Sequence, residues 1–374
     1  MKFTNFIKGF FLLNMFFLSI ISIFIYFMDP YWTFSHSHKF NSLQNSTNER
    51  EQKSSLLYFQ HKQYDALLLG TSRVTFINQN DFKNMNVFNY SFSLANPIEL
   101  SEYIEFAKKQ NKKDFEYIII GLDFLGTNLN ADKNQNPKEV FDEVTNPFYK
   151  YKLLLSIDAF TLSIENLKRS LLHRPGGRSY NRENVAFTTN FDPSEVKKRV
   201  EETSVEEQNS KLKNYKYDED YKKILEKIKS SNPNSKFIVF TTPTSTPYLN
   251  KIIENAYYDS YKKWLEQSVE VFGQITHFMD RNSITNDYSK YFMDYHHVYP
   301  EYTHLIVDKL QDINATSSNK DFGIILNKEN INNYIKNLDW YLIYFSVRNH
   351  GNLISLTTRI NEIIYKTKKD IKVA

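Results

Sequence analysis

The chain has 374 residues, 41% of them hydrophobic and 24% charged, with a formal net charge of +4 at pH 7. This is a globular composition with room for one large domain or two, and so small a charge, without any Lys/Arg block, argues against a nucleic-acid partner. Cys is absent, which excludes disulfides, thiolate catalysis and Cys-ligated zinc.

Residues 9–28 carry no charge and are mostly Phe, Leu and Ile. As a helix this run spans about 30 Å, the thickness of one hydrocarbon core. Lys2 and Lys8 precede it and Asp29 follows it. The positive-inside rule then puts the N-terminal tip in the cytoplasm and the rest on the extracytoplasmic side, periplasmic or cell-surface. Asp29-Pro30-Tyr31-Trp32 lacks a small-residue cleavage pattern, which favours an uncleaved single-pass anchor over a signal peptide. Residues 29–62 are rich in Ser, Asn, Gln and His. They predict a juxtamembrane linker with a short helix near 56–61.

Residues 65–70 form a short apolar run closed by Gly70, a buried-strand pattern, and 87–93 predict a second strand. Pro97 opens a helix through 109. The clearest strand is 115–122, which ends in Gly121-Leu122-Asp123. Residues 126–192 read as an insertion that caps the main domain. It comprises a polar loop at 128–137, a helical stretch at 149–172 and a flexible break at 174–178. Residues 194–209 and 218–231 are charged and amphipathic, the pattern of solvent-facing helices. A strand at 236–242, a helical stretch at 250–272, a last strand at 275–280 and a helix at 300–310 follow. Strands alternating with helices over 63–312 predict an α/β fold, three layers with a mainly parallel sheet. Residues 313–374, with an aromatic cluster at 340–345 and a basic tail, predict a C-terminal helical extension.

In such sheets ligands gather beyond the carboxyl ends of the strands. Ser72, Asp123 and Thr242 all follow predicted strand ends. Ser72 lies in Leu67-Leu-Leu-Gly-Thr-Ser-Arg73, where a strand-to-helix turn exposes a hydroxyl and aims backbone N–H groups at a developing oxyanion. Taken alone, the same residues describe an ordinary turn with Ser72 as a helix cap. Far downstream, Asp294-Tyr295-His296-His297 sets an acid three residues before a histidine. His297 can take a serine proton while Asp294 holds its tautomer. The plain alternative is a surface turn before the helix that Pro300 opens. Asp294, His296, His297 and His304 match no standard metal spacing, so neither a metal nor a cofactor is expected. Arg73 is a candidate for an anionic or sugar group, or a residue paired to a nearby acid.

In order, the Ser72 turn, the segment Asn89-Tyr-Ser-Phe-Ser-Leu-Ala-Asn-Pro-Ile-Glu99, Gly121-Leu122-Asp123 and Asp294-x-x-His297 resemble the four blocks of the SGNH (GDSL-like) hydrolase superfamily, over about residues 60–312. The resemblance is closest to the membrane-anchored members of bacterial cell-envelope polysaccharide systems. It implies Ser72 as nucleophile, His297 as base and Asp294 as its orienting acid. The oxyanion donors would come from the blocks that hold Leu94 and Asp123. Two departures stand out. Leu94 takes the place of the usual glycine of the second block, and Asp123 that of the usual asparagine of the third. An ionised Asp accepts hydrogen bonds and donates none. The resemblance implies acyl transfer, chiefly of acetyl, to an envelope glycan, or ester hydrolysis on it, with a multi-pass membrane acyltransferase as donor-side partner. The alternatives are a glycan-binding or scaffold subunit without activity, and a plain esterase.

Overall fold

The computed structural model describes residues 2–131, 136–210, 214–253, 257–312 and 320–350. Its centre is a six-stranded sheet of β1 (Ala66–Leu69), β2 (Val87–Asn89), β3 (Tyr117–Leu122), β4 (Lys236–Thr241), β5 (Gln274–His277) and β6 (Ile324–Asn327). The spatial order is β2-β1-β3-β4-β5-β6. β1 to β5 are parallel, and β6 runs antiparallel beside β5. The chain is therefore mixed α/β with a mostly parallel sheet, as the alternation of strands and helices predicts.

Side chains alternate across the pleat, and here both faces are apolar. Leu67, Leu69, Ile118, Ile120 and Leu122 enter one hydrophobic core, while Ala66, Leu68, Ile119 and Phe240 enter another. Burying a leucine is worth about 1.5–3 kcal/mol. Leu67, Leu68 and Leu69 are all fully buried, so the strand leading to Ser72 is firmly held. β1 lies between β2 and β3, where the strand order reverses. A crevice opens beyond the strand ends at such a switch point.

Two glycines let the next turn sit directly on those ends. Gly70 has φ 155°, a region that side chains disfavour. A Cβ on Gly70 or on Gly121 would overlap Val74, which belongs to the one-turn helix Ser72–Thr75. The glycines thus act by permitting close approach.

Several expectations need correction. Residues 29–62 are no linker. Asn48 caps a helix, Glu49–Gln60, whose Glu49, Gln52, Lys53, Ser54 and Ser55 are buried. Residues 44–45 pair with 179–180, which pair with 186–187 in a second, three-stranded sheet. The polar composition misleads because Glu49 and Arg50 are buried against charged partners, Arg178 and Glu99. The N-terminal helix α1 (Lys2–Met28) runs into this folded segment; α2 denotes Glu49–Gln60. α1 is, among the described residues, the one helix long and apolar enough to cross a membrane, which is compatible with a single-pass anchor.

The strand expected at 87–93 stops at Asn89, whose side-chain amide donates to the Val74 and Ile77 carbonyls. Helix α3 (Pro97–Asn111) follows, opened by a capping box of Asn96 and Glu99. The helix expected at 149–172 breaks into α4 (Tyr149–Leu154) and α5 (Ile157–Leu172). Ser156 caps α5 by accepting from the Ala159 N–H at 3.2 Å. The stretch at 250–272 comprises Thr246–Ile253 and Tyr258–Phe272, with 254–256 outside the described residues. β5 is not the last strand: the C-terminal region, expected as a helical extension, first supplies β6 and then α6 (Ile331–His350). The basic tail, within 351–374, lies outside the described residues.

Gly121→Ala is expected to lower the thermal midpoint, because the added methyl meets Val74 and the Phe240 ring. Overpacking of this kind costs about 1–3 kcal/mol. A thermal-shift assay checks this, and an unchanged midpoint would mean that Val74 moves aside freely.

Candidate active site

Ser72 is the first residue of its one-turn helix, and Thr71 is the cap, accepting from the Arg73 N–H. The hydroxyl of Ser72 is thereby left for other work. It donates to His297 Nε2 at 2.8 Å. His297 Nδ1–H donates to Asp294 Oδ2 at 2.6 Å. Asp294 Oδ1 accepts from the N–H groups of His296 and His297, at 2.9 and 2.8 Å. Residues far apart in sequence thus form one hydrogen-bonded relay. Burial would raise the Asp294 pKa, but His297, His296 and the hydrogen bonds to both outweigh it. The carboxyl is held well below its usual range and stays ionised.

The relay opens onto a cavity of about 660 Å³, whose lining includes Ser72, Leu94, Asn128, Arg178, His296 and His297. Phe76 meets the His297 ring edge-on at 5.7 Å, and the Arg178 guanidinium lies over Phe76 at 5.0 Å. The N–H of Ser72, at the first position of its turn, has no intrahelical acceptor. Leu94 has φ 54° and a side chain 71% exposed. The left-handed backbone expected of a glycine is thus present in a leucine, at a conformational cost of about 1–3 kcal/mol.

Asp123 and Arg73 line the cavity, but their polar atoms are spent on the fold. Asp123 is buried and accepts from Arg73 Nη1 at 2.7 Å and from the hydroxyls of Thr71 and Thr242. Ser72, Asp123 and Thr242 do converge, as their strand-end positions predict. The carboxylate there ties three strand ends together and offers no donor. Arg73 takes the plainer of its two readings, an arginine paired to a nearby acid.

Sequence reasoning missed a second polar cluster. Glu49 is buried and paired with Arg178 at 2.9 Å. It accepts from the Ser93 N–H and Oγ, both at 2.7 Å, and from the Tyr180 hydroxyl. Burial pushes the Glu49 carboxyl up, yet Arg178, Lys53 and the hydrogen bonds bring it down to about 2. One residue on, Arg50 pairs with Glu99 at 2.7 Å and donates to the carbonyls of Ser93 and Leu94 at 3.1 and 3.2 Å. The Leu94 loop is therefore gripped from both sides by α2. Arg178, expected in a flexible break, is anchored here. No hydrophobic periodicity signals these residues; Asn48 before Glu49-Arg50-Glu51 is the only hint, a helix start.

Asp294, His296 and His297 each offer a ligand atom within 4.8 Å of the others and are the set a divalent ion would use. An ion on His297 Nε2 would displace the Ser72 hydrogen bond. His304, considered with these three in the sequence, instead begins its own helix, with Nδ1 2.8 Å from the Glu301 carbonyl. Comparison with known proteins gives no match to a family model, a curated protein or a solved structure.

Lys53 is fully buried without a hydrogen-bond acceptor for Nζ, which lies 4.9 Å from the centre of the Tyr180 ring. Burial lowers its pKa from 10.5 to about 7, with Glu49 opposing the shift. Below pH 7 both the folded and the unfolded chain hold the proton, and the fold bears the full cost. Between pH 7 and 10.5 the unfolded chain binds more protons, so stability rises with pH. Lys53→Met should therefore raise the thermal midpoint more at pH 6 than at pH 9. An equal effect at both would mean that burial does not bring the Lys53 pKa into this range and that Lys53 keeps its proton in the fold at pH 9.

Proposed function

We propose that the chain is a membrane-anchored serine acyltransferase or esterase of SGNH-like type, acting on an extracytoplasmic cell-envelope glycan. The observation that carries this reading is the Ser72–His297–Asp294 relay, at 2.8 and 2.6 Å. Ser72 Oγ attacks the acyl carbonyl as its proton passes to His297 Nε2. The ionised Asp294 stabilises the imidazolium. The N–H groups of Ser72 and Leu94 hold the tetrahedral oxyanion. Collapse expels the leaving group, which takes the proton from His297 and leaves acyl-Ser72. A sugar hydroxyl, or water, then gives up its proton to His297 and attacks the acyl carbon. Collapse breaks the bond from the acyl carbon to Ser72 Oγ, which takes the proton back from His297, and the products are a new ester, or a free acid, and restored Ser72.

The glycan acceptor is supported by the α1 helix, which would hold the site beside the envelope, and by the resemblance of the four blocks. The same resemblance supports acetyl as the acyl group and a multi-pass membrane acyltransferase as donor-side partner. No cofactor enters any step. The intact relay favours catalysis over a scaffold subunit.

Intact-mass analysis of the full chain in detergent, with an activated acetyl ester, tests the reaction. The wild type should gain one acetyl, or turn the ester over; Ser72→Ala and His297→Ala should do neither, at unchanged thermal midpoints. A folded wild type that shows neither adduct nor turnover would favour the scaffold reading.

Arg50 holds the two carbonyls that set the Leu94 backbone. Loss of an oxyanion donor costs about 10²–10³ in rate. Arg50→Lys, which keeps the charge beside Glu99 but loses the fork, should slow acylation by about 10-fold or more while Ser72 is still the labelled residue. An unchanged acylation rate would remove Leu94 from the oxyanion site.

A further inference from the structure

The end of α1 is packed into the protein. Ile25 shares a core cluster with Val144, Tyr149, Leu153 and Ala159. Phe24 meets Phe160 edge-on at 5.8 Å, and Ser22 Oγ donates to the Leu154 carbonyl at 3.0 Å. Before that point α1 is bare, with every side chain from 3 to 20 exposed. At about 1.5 Å per residue the bare stretch measures roughly 27 Å, close to the hydrocarbon core of about 30 Å; this shifts the span towards the N-terminus from the uncharged run 9–28 and takes in Lys8, whose long side chain reaches the headgroups by snorkelling. If α1 spans a membrane, the membrane surface lies near Ser22, level with Leu154.

The corner between α4 and α5 sits at that level, and it is apolar on its outside. Leu155 is 63% exposed and Ile157 81%, with Tyr151 and Phe148 at 66% and 69%. Exposed apolar residues scattered singly need no explanation, but these cluster where the chain enters lipid. Tyr151 and Lys152 flank them, a residue pair suited to a headgroup layer. Asp158 is also exposed beside Ile157, so the corner can enter only shallowly.

We infer that the α4–α5 corner is a second membrane contact, with Leu155 and Ile157 in the lipid beside α1. The occupant of this apolar surface is the bilayer itself. The argument is continuity, because the patch extends the apolar surface of α1 through Ser22 and Leu154. A domain held at two points keeps a fixed orientation to the membrane, where a lone helix would let it swing. The inference rests on α1 as the anchor.

The Cys-free chain permits a direct test. Full-length protein carrying Leu155→Cys, Ile157→Cys, Phe16→Cys or Ile325→Cys is labelled with an environment-sensitive fluorophore. It is then reconstituted in phosphatidylcholine vesicles with and without spin-labelled lipid. Phe16 marks the anchor, and Ile325, exposed on β6, marks the water side. Thermal midpoints confirm folding of each variant. Lipid quenching at 155 and 157 several-fold above that at 325 is the expected result. Quenching at 16 with none at 155 and 157 overturns the second contact and leaves the anchor standing. No quenching at 16 overturns both. Protection of 155 and 157 from aqueous iodide without lipid quenching means that protein covers the corner, which also overturns the inference.

Discussion

A buried carboxylate must be matched by donors or cations, and Glu49 shows how much structure that constraint gathers. Leaving such a charge unpaired costs several kcal/mol. Its partners come from two separate segments: Arg178 and Tyr180, at and beside the small second sheet, and Ser93 from the loop after β2. Glu49 thus locks the segment that follows α1, the insertion and the Leu94 loop into one arrangement. Arg50 adds a second grip from the next position, through Glu99 and the Ser93 and Leu94 carbonyls. Glu99 in turn receives the Asn96 N–H and closes the capping box of α3. The loop has little freedom left, which explains how Leu94 keeps a backbone conformation usually left to glycine.

The legible parts of this chain are those that depend on short-range patterns. Apolar runs such as Leu67-Leu68-Leu69 and Ile118-Ile119-Ile120 marked the inner strands, because burial on both faces demands a continuous run. Ser72 and the Asp294/His297 pair were readable because their chemistry is carried by residue type and spacing. The failures share a cause. Glu49, Arg50 and Lys53 look solvent-exposed in sequence, since hydropathy counts charge and cannot see that Glu49 meets Arg178 and Arg50 meets Glu99 from distant segments, or that Lys53 is buried among them. The break between α4 and α5 turns on a single serine that caps instead of continuing the helix. β6 depends on pairing with β5, and its four residues carry too little pattern to announce an edge strand.

Asp123 bears on how an oxyanion would be held. A carboxylate at the end of β3 is chemically wrong as an oxyanion donor, and its surroundings show another use. Thr71, Arg73 and Thr242 all give it hydrogen bonds, so the ends of β1, β3 and β4 are tied at one point. Thr71 caps the turn that begins at Ser72, and the tie therefore fixes the backbone of the proposed nucleophile. Under the proposed reaction Asp123 is excluded as a donor, and the backbone N–H groups of Ser72 and Leu94 hold the oxyanion. Such donors are rigid and cost no reorganisation, but they are few. A site built this way suits slow, selective acyl transfer better than rapid turnover of unselected esters.

Two polar clusters therefore flank Ser72, and they answer to different parts of the chain. The Asp123 cluster is built on the sheet and fixes the turn that carries Ser72. The Glu49 cluster is built on α2 and the small sheet and fixes the Leu94 loop. The second cluster leads back to α1 by direct contacts: Arg182, two residues beyond Tyr180, pairs with the buried Asp29 that ends α1. Burial raises the Asp29 pKa, and Arg182 with the Thr33 and Phe34 N–H groups opposes it. The helix that would cross the membrane is thus continuous, through packed and hydrogen-bonded groups, with the loop that would hold the oxyanion. This is a statement about rigidity and not about signalling. Ser72, held by the sheet, and the Leu94 loop, held by the end of α1 and α2, meet across one cavity, so the cavity is complete only when residues 29–60 are folded onto the domain.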